Sequence, residues 1–265
     1  MSTDELDGRD ALSRDRVDEE DGTEDRSRMS FLDHLDELRR RIVYSLYALI
    51  ASCAVTFYFW DKLYVFLVSY FLSHGGQLIF TKPMAGFVFS LKISLLGGLL
   101  IASPFIFSQL WFFVAPGLYA NEKKWAIPFI LMSSFFFVLG AAFSHYVVFP
   151  LTWRFFVSFT TDILTFAPRV EPAFSIYLRL LLAFGLVFQM PTLVLFLARM
   201  GLVSARFLIR NFKFAFLIMV IVSAVVTPDG GGVSLVAMTG PMILLYGLSI
   251  ILAWIFGKKK DPEST

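Results

Sequence analysis

The chain has 265 residues, of which 57% are apolar, 17% aromatic and 17% charged, with a formal net charge of +2 and a mean hydropathy of +0.70. A soluble domain of this length seldom exceeds about half apolar, and the excess here lies in long blocks nearly free of charge, so the composition excludes an ordinary water-soluble fold. Cys53 is the only cysteine and His34, His74 and His145 lie far apart in sequence, which excludes an intrachain disulfide and leaves no cofactor or metal site to expect.

Residues 1–28 hold 11 acids against 5 arginines, a net of −6, leaving about +8 for the rest of the chain. Without apolar periodicity this segment reads as a disordered acidic tail. The basic excess belongs to a membrane domain expected over 29–257, not to a nucleic-acid face. Ser30 followed by Asp33 is a helix start of capping-box type. Phe31, Leu35, Leu38 and Ile42 then recur at helical spacing with charges on the other faces, predicting a short amphipathic helix at the membrane surface that feeds the first span.

Six apolar blocks follow, at 42–60, 87–114, 127–149, 174–198, 212–226 and 233–256. Crossing the hydrocarbon core takes about 20 residues, so the fifth block is short and predicts local thinning of the bilayer. Prolines at 104, 128, 150 and 241 sit inside or at the ends of the blocks and predict curved rather than straight helices. Residues 258–265 form a short basic tail. The fold class expected is an all-α membrane protein of six transmembrane helices.

The basic residues orient the spans. One side takes Arg39, Arg40, Arg41, Lys123, Lys124, Arg199, Arg206, Arg210, Lys213 and Lys258 to Lys260; the other takes Lys62, Lys82, Arg154 and Arg169, with Lys92 and Arg179 just inside their spans. Positive-inside bias therefore places both termini in the cytoplasm, with Lys92 and Arg179 snorkelling to the outer interface. Arg39–Arg41, the apolar stretch and Cys53 superficially resemble a lipoprotein signal. The apolar run continues to Trp60 and about 38 residues precede the arginines, so cleavage is not expected.

Polar residues in unusual places carry the functional information. Glu37 can pair with Arg41 one helical turn on, or accept an incoming cationic peptide. Glu122, beyond the Pro116-Gly117 helix stop, is a solvated loop charge beside Lys123 and Lys124, or a second acceptor on the same face as Glu37. Gln189 lies inside the fourth block before Met190-Pro191. An amide in hydrocarbon needs a partner, either an interhelical bond or a functional contact. Pro191 is expected to kink the helix and free a carbonyl for that amide. Asp229, in the Thr227-Pro228-Asp229-Gly230 turn, caps the last span or takes part in gating, with capping favoured.

Taken together these fragments are specific. Phe31-Leu32-Asp33-His34-Leu35-Asp36-Glu37-Leu38-Arg39-Arg40-Arg41 and Gln109-Leu110-Trp111-Phe112-Phe113-Val114-Ala115-Pro116-Gly117-Leu118-Tyr119 resemble the signature stretches of the TatC family. Phe149-Pro150, Phe184-Gly185 through Phe188-Gln189-Met190-Pro191, and Thr227-Pro228-Asp229 follow in the same order, so the resemblance covers about residues 29–257. It implies a cup-shaped six-span bundle in the cytoplasmic (inner) membrane. The function implied is that of the subunit of the twin-arginine translocase that recognises signal peptides of folded cargo, powered by the proton-motive force. It also implies TatA- and TatB-like single-span partners and a homo-oligomer within a complex.

Carried over position by position, the resemblance assigns signal-peptide binding to Glu37, Glu122, Phe113, Arg39 and Arg41. It assigns an intramembrane polar or partner-helix contact to Gln189 and Pro191. Gln189 stands where many members of the family carry glutamate, and a neutral amide cannot titrate, though it can still hydrogen-bond a partner helix; Gly247 stands where some carry another glutamate, so a role of that carboxylate such as partner docking is lost or moved. Two rivals are weaker. A small-solute transporter would use Gln189 at midplane but lacks an internal repeat. An intramembrane hydrolase would have only His145 and Asp229, with no nucleophile motif.

Overall fold

The computed structural model describes residues 34–73, 79, 82–114, 126–158, 167–226 and 232–257, the side chains at 126, 233, 234 and 237 excepted. The tails expected at 1–28 and 258–265, Glu122, and the turn with Asp229 lie outside the described residues.

The chain is all-α. Helix α1 runs His34–Tyr58, and a single turn at Phe59 separates it from α2, Trp60–Ser73. Helix α3 is Ala85–Val114 and α4 Ala126–Phe143. A π-helical turn, Ser144–Val148, joins α4 to α5, Phe149–Val157. Helices α6, Val170–Val187, and α7, Met190–Arg199, are two halves of one span; α8 is Ala205–Arg210, α9 Phe212–Val226 and α10 Gly232–Phe256. Five helical stretches are long and apolar enough to cross a membrane among the described residues, and α9 is a sixth, shorter one. At 15 residues it spans about 22 Å, so the short fifth block is short in three dimensions too.

The amphipathic lead-in feeds the first span without a break: α1 is one helix from His34, and no glycine or proline interrupts residues 34–58. The segment after the first block carries a further helix. Its α2 buries Leu67 and Phe71 in the largest core cluster.

The ends of the helices are ordered by contacts. His34 stacks on Phe113, so α1 begins where α3 ends. The chain at Ile79 bridges Arg169, so α3 and α6 begin together at the other end, beside α2. Helix α7 ends in a left-handed turn at Gly201, φ +75°, where Leu202 N–H donates to Leu197 O and Gly201 N–H to Ala198 O. A side chain would be strained there, and the two bonds close the last carbonyls of the helix.

Prolines shape the spans differently. Pro104 and Pro241 are accommodated within α3 and α10. Pro150 has no N–H for the carbonyl four residues back, and the turn before it widens so that Phe149 N–H bonds Ser144 O, five residues back. Around this turn the core is aromatic: Phe149, Phe174 and Phe184 are fully buried, with Phe71, Trp153 and Tyr177 packed edge-on or tilted against them. Helices α4 and α6 approach closely because Gly140 lies on Phe184; a Cβ there would come within 2.5 Å of the Phe184 carbonyl.

Helix α1 stands apart. Only 6% of its most apolar window is buried, against 44% for α3 and 50% for the α6–α7 span. It touches α3 where Thr56 Oγ1 donates to Ser94 O at 2.6 Å and where Cys53 rests on Gly98. Its first two turns therefore project beside the end of α3, with Glu37 and Arg41 half-exposed and Asp36, Arg39 and Arg40 exposed.

Candidate signal-peptide site

The site begins with helical periodicity. Positions 34, 37 and 41 share one face of α1, and 109, 112 and 113 cluster on the last turns of α3. Where the faces meet, His34 stacks on Phe113 with ring centroids 4.4 Å apart. One turn on, Glu37 Oε1 accepts from Arg41 Nη2 at 3.1 Å. Arg41 Nη1 donates to Gln109 Oε1 at 3.2 Å, and the guanidinium lies over the Phe112 ring, 5.5 Å from its centre. Phe113 and Arg41, singled out separately in the sequence, thus both tie α1 to α3.

A groove of about 530 Å³ opens here, lined by Asp36, Glu37, Arg40, Arg41 and Tyr44. Arg40 Nε donates to Tyr44 Oη at 2.9 Å, and its guanidinium is a cation throughout the accessible pH range. The groove pairs two carboxylates with two arginines. It offers acceptors to a cationic ligand without the attraction of a purely acidic cleft. Arg39 is exposed and is not brought to the groove by any contact among the described residues.

Gln189 is placed elsewhere. It lies at the break between α6 and α7, with Pro191 buried in the first turn of α7. Its Nε2 donates to the Ser133 carbonyl of α4 at 2.9 Å, while Ser133 Oγ accepts from Trp111 Nε1 at 3.1 Å. The amide therefore does not turn to a carbonyl freed by Pro191. The close α4–α6 approach puts a carbonyl of the neighbouring helix within reach first. This node binds three spans together and carries no net charge.

Sequence reasoning missed Gln109 and Phe112. Both stood in the quoted signature stretch without a role. A signal was present: Gln109 is polar inside an apolar block and one turn from Phe113, so it had to share that residue's face. Among the described residues no group of three or more His, Cys, Asp or Glu is arranged to hold a metal ion.

The model of the TatC family, described as Sec-independent protein translocase protein, matches residues 33–241. The Sec-independent protein translocase protein TatC of Desulforapulum autotrophicum is 39% identical over 236 residues, covering 88% of this chain and 87% of the relative. That of Helicobacter pylori is 40% identical over 232 residues, covering 87% and 92%. A crystal structure of the twin-arginine translocase receptor TatC superposes with a TM-score of 0.74 at 34% identity, covering 85% of this chain and 100% of the solved one.

Proposed function

The chain belongs to the TatC family, and from that premise we propose that Glu37, with Glu122, accepts the paired arginines of a twin-arginine signal peptide. It is a transport component of the Sec-independent protein translocase and not an enzyme. The observation that carries the proposal is that the start of α1, whose Glu37 lines the groove, packs on the end of α3, where His34 stacks on Phe113 and Arg41 joins Glu37 to Gln109. Phe113 is also where the segment carrying Glu122 leaves α3, nine residues earlier in the sequence.

A guanidinium offers a planar fork to a carboxylate, and two such charge-assisted bonds are stronger and more directional than the contact of an ammonium. The site therefore favours arginine over lysine at equal charge. The apolar part of the signal then follows the helices away from the groove, along α1, whose apolar face is left largely uncovered. The groove end faces the cytoplasm, as the basic residues at 39–41, 123–124, 199–213 and 258–260 favour. In this reading TatA- and TatB-like single-span subunits and further copies of the chain complete the translocase in the inner membrane, which the proton-motive force drives. The Gln189 node, already bonded to α4, meets a polar residue of a partner helix through its remaining valence. Asp229 caps the last span.

The test is crosslinking. A photoreactive twin-arginine signal peptide should label the wild-type chain in membranes and fail to label Glu37→Ala or Glu122→Ala at equal amounts of inserted protein. Unchanged labelling in both variants would reject the assignment.

A further inference from the structure

Arg41 is the most firmly anchored charged side chain at the groove. Nη2 is held by Glu37 Oε1, Nη1 by Gln109 Oε1, and one guanidinium face by Phe112. The first anchor belongs to α1 and the other two to α3. An i,i+4 ion pair left to itself on a helix surface breaks and re-forms against water. Gln109 changes that. It is only 7% exposed, so its amide oxygen depends on a protein donor. Because the guanidinium is flat and rigid, holding one nitrogen on Gln109 and one face on Phe112 fixes the direction in which the other nitrogen points.

The consequence falls on Glu37. Oε1 is occupied at 3.1 Å by a donor that is itself held from α3, which biases the orientation of the carboxylate. Oε2 receives no donor among the described residues. The carboxylate thus faces the groove in a preferred orientation, and the cation beside it offsets much of its charge. A point charge gains little from such a partner, whereas a planar fork gains from the orientation itself.

We infer that Gln109 and Arg41 are positioning residues that set the preference for arginine over lysine, by orienting the Glu37 carboxylate while neutralising its field. Arg41 is in this view part of the receptor's frame and not a contact of the signal peptide. The inference rests on the reading of Glu37 as the signal-peptide acceptor, and the experiment separates the two.

The full-length chain, purified in detergent, is titrated with a labelled twin-arginine peptide and with its twin-lysine counterpart. Gln109→Leu removes the buried acceptor at similar volume. Arg41→Lys keeps the charge but not the fork. Each should weaken the twin-arginine peptide about tenfold, the value of one well-aligned charge-assisted bond, and leave the twin-lysine peptide unchanged or slightly tighter. The preference ratio therefore collapses. The double variant should lose no more than either single one, because both break the same unit. Thermal unfolding of each variant serves as the folding control, and Arg41→Lys, which alters only a half-exposed side chain, carries the test if Gln109→Leu is unstable.

Glu37→Gln distinguishes the two claims. If it abolishes the preference while Arg41→Lys retains it, or if Arg41→Lys weakens both peptides equally, the positioning role is overturned and the Glu37 reading stands. If Glu37→Gln itself leaves the preference intact, the acceptor assignment fails and the positioning role fails with it.

Discussion

At the start of α1, charged groups sit half-exposed and are joined by a few long side chains: Glu37 and Arg41 are 30% and 29% exposed. Around the π turn between α4 and α5 the polar groups are sealed among rings. There His145 lies 2.9 Å, through Nδ1, from the Tyr177 hydroxyl, stacks on Tyr70 and accepts the Tyr70 hydroxyl at its carbonyl. The first region spends little of its interaction energy on the fold and leaves Glu37 Oε2 open toward a groove. The second is closed on itself. On the proposed reading of Glu37, recognition and stability reside at different places in one bundle, and substitutions should separate them.

The largest effect on stability is expected from Gly140→Val, which drives a side chain into the Phe184 carbonyl and against Phe188. Overpacking of this kind costs about 3 kcal/mol, and thermal unfolding in detergent should show a marked loss. Phe149→Ala, at the fully buried centre of the aromatic cluster, should follow closely with about 3 kcal/mol, the low end for a buried Phe→Ala, from the cavity and lost dispersion contacts. In both variants signal-peptide affinity should fall only in the fraction that unfolds. A folded Phe149→Ala protein with lost affinity would break the separation of the two regions.

Smaller effects sharpen it. Gln189→Leu removes the bond to the Ser133 carbonyl and should cost about 0.6 kcal/mol, the average for an interhelical polar contact in a membrane. Its readout is a small shift in unfolding temperature with peptide affinity unchanged in the absence of partner subunits. Glu37→Gln should cost less than about 0.5 kcal/mol of stability, as for other half-exposed pairs, yet lose most of the preference for arginine. Raising salt should weaken the twin-arginine complex, since the groove is open to solvent and its charges are screened.

Much of this was legible in the sequence, and the exceptions share causes. The six blocks correspond to helices because hydrocarbon leaves the backbone no alternative; the fifth matches α9 residue for residue. Helix α2 drew no reading because one turn at Phe59, made by local backbone bonds and without glycine or proline, separates it from α1. The break before Met190 was readable from Pro191, but the partner of Gln189 was not. An amide can satisfy itself in several ways, and the choice depends on how closely α4 and α6 pack.

At this end of the bundle, Glu37 was singled out by its spacing to Arg41 and Phe113 only by the family resemblance. The i,i+4 pair with Arg41 and the acceptor role had stood as alternatives, and the geometry shows that the pair does not exclude the acceptor, because it occupies one oxygen. Helical spacing places Gln109 on the face of Phe113, but its partner, an arginine 68 positions away, is set by how α1 and α3 meet.

The most direct measurement is the ratio of affinities of the purified chain for a twin-arginine and a twin-lysine peptide, in the wild type and in Glu37→Gln. The account predicts a preference of about tenfold or more in the wild type that is largely lost in Glu37→Gln, with the fold intact in both. Equal affinities in the wild type, or an undiminished preference once the carboxylate is gone, would contradict it.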